Sequence, residues 1–306
     1  MNIKAVLVTA LRFFVATVVY LIGFIAASGI ALSSIAIAQP PPAEASAAGL
    51  VLIAVAFLNT AVLSYVILRS RWHGWRLSLV TAFVLYGVLT FMSQIETLAF
   101  PAVADRLPPG MLRGLFVLGA LLAAPFAPLA VLILGKWKKD PSAGEPNTRL
   151  IMPVGEWAWK LAAIVVAYEI LYFGFGYFVA WKNPAVQAYY GGSDPGSFIA
   201  QMASVMRDTP WLPLLQAGRA LLWTLIALPV IRMMKGRAWE TSLAVGLLFA
   251  VIMSAQLLFP NPYMPREVST AHLIETASSN FIFGALLAGL MLWKGRPLWN
   301  TKTEPA

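Results

Sequence analysis

Seven side chains able to carry a charge, move a proton or make a strong hydrogen bond sit inside otherwise apolar stretches: Glu96, Glu169, Arg219, Gln256, His272, Glu275 and Asn280. An ionisable group at membrane depth costs about 2.5–3.5 kcal/mol on insertion scales, so each needs a partner or a task. His272, Glu275 and Ser279 follow i, i+3, i+7 spacing and share one helical face, which Thr276 and Asn280 widen. A carboxyl with a neighbouring imidazole is an acid–base pair. Glu96 ends a different apolar run at a depth similar to Glu275, and Gln256 holds the corresponding place in a third. These residues are expected to line one pocket.

Glu169 lies near the middle of its apolar run, beside Tyr168 and ahead of Tyr172-Phe173-Gly174-Phe175-Gly176-Tyr177. An ionised carboxylate there calls for a cation, and Arg219, one turn after Gln216, is the expected one. Such a pair reads equally well as structure or as binding site.

Other chemistries drop out by inventory. The chain has no cysteine, which excludes disulfides, thiolate metal sites and cysteine nucleophiles. Of its two histidines, His73 lies in Arg71-Trp72-His73-Gly74-Trp75, expected on the opposite membrane face from His272. That excludes a bis-His haem and a three-His zinc site within one chain. A carboxylate-rich metal site with one His stays open, but no metal site and no cofactor is assigned. No G-x-S-x-G or Ser–Lys arrangement sets a nucleophile beside a base at membrane depth.

The elements that must position these groups are helices in lipid. Hydrophobic residues make up 59% of the chain, charged residues 11%, and the mean hydropathy is +0.75. Eight apolar runs of spanning length occur, at residues 13–38, 50–68, 77–100, 115–134, 157–181, 212–231, 241–259 and 270–293. The expected fold is an all-α integral membrane protein with eight transmembrane helices. Placing both termini in the cytoplasm puts sixteen of the 22 Lys and Arg residues in inside segments, each of which contains some. The net charge of +9 thus reads as topology rather than as a nucleic-acid surface, and the expected location is the cytoplasmic membrane. A cleavage-like sequence, Ala36-Ile37-Ala38 before Gln39 and Pro40, follows a run too long for a signal peptide's apolar core.

Residues 141–153 are rich in Pro, Gly and charge and divide the chain into halves, 1–140 and 154–306. Four spans in each would give the halves parallel orientation. The 182–211 connection is expected to lie outside and to carry an interfacial helix opened by Asp194-Pro195, with Phe198, Ile199, Met202, Val205 and Met206 at helical spacing. Pro125 and Pro128 should kink the fourth span.

Three functions fit these features. One is a transporter or binding protein for a small polar solute or ion, with a pocket facing outward. The second is an intramembrane enzyme at the outer leaflet, using Glu/His acid–base or carboxylate–metal chemistry. The third is a non-catalytic assembly or sensory component whose polar residues join helices. The lipid bilayer is the one partner composition implies, and no protein partner is identified.

Overall fold

Every backbone N–H and C=O in lipid must find a partner within the protein, and a helix supplies one locally. The computed structural model describes residues 3–38, 42, 46–100, 104–139 and 147–294. Within them lie ten helices: α1 Ile3–Ala31, α2 Ala48–Leu68, α3 Gly74–Ala99, α4 Met111–Ile133, α5 Val154–Trp181, α6 Pro184–Tyr190, α7 Phe198–Asp208, α8 Leu212–Met233, α9 Ala238–Leu258 and α10 Arg266–Leu292. All but α6 and α7 are long and apolar enough to cross a membrane. Gln39 to Pro41, Pro101, residues 141–146 of the expected linker and the tail bearing Arg296 and Lys302 lie outside the described residues.

The first helix starts well before residue 13 and stops short of 38. It takes in Lys4 and Arg12, and it ends at Ala31, ahead of Ser33 and Ser34. A long side chain makes this tolerable, because the charge travels along the stem to a polar end. The Arg12 guanidinium lies beside Gly135, whose φ of 76° closes α4 and whose absent Cβ leaves that space. Helix α4 itself runs unbroken through Pro125 and Pro128.

Helix α1 packs on α2 and α4, and α3 packs on α4; α5 packs on α8 and α10, and α9 on α10. Across the middle, α2 meets α9 and α3 meets α8. Trp223 of α8 is fully buried, its ring 4.2 Å from that of Phe249 in α9.

Among the described residues three spanning helices carry a π-helical turn, Gly87–Phe91 in α3, Gly176–Trp181 in α5 and Leu248–Ile252 in α9. Such a turn shifts the hydrogen-bond ladder by one residue and leaves a carbonyl short of a partner. Side chains make up the deficit in α3 and α9. Ser93 Oγ donates to the Leu89 carbonyl (2.8 Å) and the Thr90 carbonyl (3.0 Å), and Ser254 Oγ donates to that of Ala250. Gln256 Nε2 donates to the Met253 carbonyl at 3.0 Å and reaches across to Leu89 at 3.5 Å. Gln256 therefore stitches irregular backbone.

At the basic end, α2 and α8 finish side by side. The Arg71 amide donates to the Met233 carbonyl and the Lys235 amide to that of Arg69, both at 2.7 Å, around an antiparallel bridge of Ser70 with Met234. Cationic side chains cap the exposed helix carbonyls, as the helix dipole favours. Lys136 Nζ donates to Ser70 (2.9 Å), Arg149 to Ile231 (3.1 Å) and Gly236 (2.7 Å), and Lys160 to Trp293 (2.7 Å).

Candidate functional site

At the other end of the bundle the polar residues of α3, α5, α8 and α10 converge. Arg219 is only 3% exposed, and its Nη1 lies 2.8 Å from Glu96 Oε2. The same Nη1 donates to Gln216 Oε1 at 2.9 Å, one turn earlier on α8. Nη2 donates to the Met92 carbonyl at 3.3 Å, just past the π turn of α3. Tyr172 Oη donates to Glu96 Oε1 at 2.6 Å, so both carboxylate oxygens are held. Behind this group, Trp223 Nε1 donates to Tyr168 Oη at 3.3 Å.

The ion pair is not the one anticipated. Arg219 binds Glu96, and Glu169 makes no ion pair or hydrogen bond with another described residue. Helical phase is the reason. Ile164, Tyr168 and Tyr172 form the stripe of α5 that faces the bundle, and Glu169 sits about 100° round from Tyr168. Glu169 is half-buried on the flank of the helix, one turn from the exposed Val166 (57%).

His272 and Glu275 do meet, with Nδ1 3.3 Å from Oε2. The other imidazole nitrogen, Nε2, lies 3.0 Å from Tyr190 Oη. Thr276 Oγ1 donates to Glu275 at 3.4 Å. Tyr190 belongs to α6, which is tied down by Tyr189 Oη on the Tyr263 carbonyl (2.9 Å) and by Arg106 on the Tyr189 carbonyl (2.6 Å). Partial burial, then the neighbouring Tyr189, Glu96 and Glu275, raise the Tyr190 phenol above its ordinary value.

Asn280 is buried deeper on α10, with no hydrogen bond to another described residue. Among the described residues no three His, Asp or Glu side chains gather closely enough to hold a metal ion.

Tyr190 was not anticipated, nor was α6. The signal was present, displaced: Asn183-Pro184 is an N-cap with proline at the first helical position, and Asn183 Oδ1 accepts from Ala185 N. The expected cap at Asp194-Pro195 does not open α7. Ser197 does, accepting from Ala200 N at 3.1 Å. Asp194 instead binds Lys182 Nζ at 2.6 Å and the Gly196 amide at 3.0 Å, which closes the turn between α6 and α7.

The cluster is largely buried. Side-chain exposure is 31% for Glu96 and 14% for Glu275, while Gln216 is fully buried. Two hollows at this end, of about 500 Å³ around Asp105, Pro108 and Arg113 and about 390 Å³ around Asn183, Glu267 and Ile274, touch none of these groups. Two donors inside the cluster have no acceptor: Arg219 Nε and Gln216 Nε2.

Fold and site together define a polytopic all-helical membrane protein with eight candidate spans and a buried polar centre at one end. Comparison with protein-family models, curated proteins and solved structures finds no match to this chain.

Proposed function

We propose that the protein binds a small polar solute bearing an oxyanion, a carboxylate or phosphate, at Arg219, as a transporter or solute-binding membrane protein does. The observation that carries this reading is the unsatisfied edge of the Arg219 guanidinium. A guanidinium grips an oxyanion with two parallel N–H groups. Nη1 is committed to Glu96 and Gln216, but the Nε–Nη2 edge holds one long bond to a backbone carbonyl and nothing on Nε. A buried donor without an acceptor costs about 1–3 kcal/mol, so the arrangement favours an incoming oxygen ligand. On the charge-based orientation the site lies toward the outer face of the membrane.

The test is thermal unfolding of the purified protein in nanodiscs with acetate, succinate or inorganic phosphate. At least one should raise Tm saturably, and Arg219→Lys, which keeps the charge but loses the fork, should abolish the shift. No shift with any of the three sinks the reading. Uptake of the active anion into proteoliposomes would separate transport from binding.

The Tyr190–His272–Glu275 chain supports a second reading, an enzyme at the outer leaflet. A carboxylate orienting an imidazole that in turn contacts a hydroxyl is an acid–base arrangement. That reading requires a chemically altered product to appear in cells expressing the protein and to vanish with His272→Ala. Accumulation of unaltered solute would rule against it.

A further inference from the structure

We infer that the chain is a fused duplicate of a four-helix unit, and that its polar site exists once because only one of two equivalent clefts carries the polar side chains. The packing repeats: α1 with α2 and α4, and α3 with α4, match α5 with α8 and α10, and α9 with α10. Contacts between halves also come as an exchanged pair, α2 on α9 and α3 on α8. The Ser70–Met234 bridge lies on the dyad that relates them, each strand donating one amide to the other.

Side chains hold the same register. Without a gap, residues 52–75 overlie 216–239, matching Ala56 with Ala220, Thr60 with Thr224, Val66 with Val230, Ile67 with Ile231 and Trp75 with Trp239. The Tyr20–Phe126 ring pair, 5.1 Å apart and edge-on, recurs as Tyr168–Phe283 at 4.7 Å. Arg12 beside the end of α4 recurs as Lys160 at the end of α10. The π turns of α3 and α9 are equivalent too, each followed by Met-Ser, Met92-Ser93 and Met253-Ser254, while that of α5 at Gly176–Trp181 has no counterpart in α1. Each half thereby serves as the other's comparison. What both keep is scaffold; what only one has is specialised.

The one-sided residues are those of the polar site. Paired helix by helix from these matches, with α9 three residues shorter than α3 ahead of its π turn, Arg219 stands opposite Val55, Gln216 opposite Leu52, Tyr172 opposite Phe24, His272 opposite Leu115 and Glu275 opposite Leu118. In the second cleft Phe24 stacks on Phe259 at 5.7 Å, so apolar contacts fill the place that hydrogen bonds fill in the first. Glu96, at the register of Leu257, crosses from the first half to complete the site. This inference rests on the proposed site being functional, but the duplication can be tested without a ligand.

The absence of native cysteine makes disulfide trapping in the full chain clean. A Cβ at Gly87 would lie 3.0–3.8 Å from the side-chain carbons of Ile226. The equivalent pair is Val62 with Leu248. Gly87→Cys/Ile226→Cys and Val62→Cys/Leu248→Cys should both close on mild oxidation; closure of the first alone overturns the duplication. For the one-sided site, Arg219→Val with Glu96→Leu copies the apolar cleft and should keep Tm at or above the parent, while Arg219→Val alone lowers it. A double variant no more stable than the single would make the polar set part of the scaffold and overturn the second half of the inference. Neither readout depends on oxyanion binding, so failure of the ligand titrations leaves both results standing.

Discussion

Glu96 and Arg219 depend on each other more than either depends on its own helix. Removing one partner of a buried ion pair leaves an uncompensated charge and costs about 3–5 kcal/mol, whereas the intact pair adds little net stability. Glu96→Ala should therefore lower Tm sharply in detergent, and Glu96→Gln less, because its amide oxygen still accepts from Arg219 or Tyr172. Glu169 gives the opposite expectation. It has no hydrogen-bond or ion-pair partner among the described residues and lies half-buried, one turn from the exposed Val166, so Glu169→Leu should unfold at the same temperature or higher. A fall of several degrees for Glu169→Leu would mean that the carboxyl has a partner in the membrane. At this scale the residue types were legible in the sequence and their pairings only partly so. His272 and Glu275 meet because i, i+3 spacing is local, while Glu96, Tyr172 and Arg219 come from three helices whose rotation the sequence does not encode locally. Depth suggested Glu169 for Arg219; rotation about α5 decided otherwise.

The spanning helices were readable because a run of apolar residues needs only length to cross a membrane. What hydropathy misses is irregularity that side chains repair, such as the π turns backed by Ser93, Ser254 and Gln256. It also misplaces ends, as with Arg12 inside α1. In the α5–α8 connection, N-cap and proline signals occur twice, at Asn183-Pro184 and Asp194-Pro195, and only the first opens a helix. The Asp194–Lys182 tie makes this element sensitive to pH. Lys182, then the Gly196 amide, hold the Asp194 carboxyl below its ordinary value, and Asp194 together with Tyr177 raises the Lys182 ammonium. A carboxyl depressed in the fold contributes stability above its unfolded value near about 4 and loses it as pH falls toward the folded one. A raised ammonium contributes below about 10.4 and loses its contribution as pH rises through its folded value. Amide exchange over residues 191–208, corrected for intrinsic rates, should stay slow between these limits and quicken below pH of about 4. Asp194→Asn should erase the acid limb while the spanning helices stay protected. Because both groups are exposed, salt should weaken the effect.

For the whole molecule, the contacts that hold the halves together matter more than the chain that joins them. The junction is made by α2 on α9, α3 on α8 and the paired backbone of Ser70 and Met234. Residues 140–146, which join the halves in sequence, lie outside the described residues. Two further ties come from beyond it: Asn147 Nδ2 donates to the Arg232 carbonyl, and Arg149 reaches Ile231, Thr241 and Gly236, all within the second half's side of the break. A chain cut between residues 140 and 146 should consequently retain its junction. Co-expressed as two pieces, 1–143 and 144–306, the halves should co-purify from membranes through a tag on either one. Tm should fall modestly, since joining two bound partners by a short linker supplies an effective concentration in the millimolar range and no contact. The site draws Glu96 from the first piece and Arg219, Tyr172 and Gln216 from the second, so it assembles only if the pieces do. Adding Glu96→Ala to the first piece should loosen the pair further, because Arg219 is then left buried without its counter-charge at the junction itself. Pieces that fold separately but never co-purify would mean that the linker, and not the α2–α9 and α3–α8 contacts, holds the bundle together.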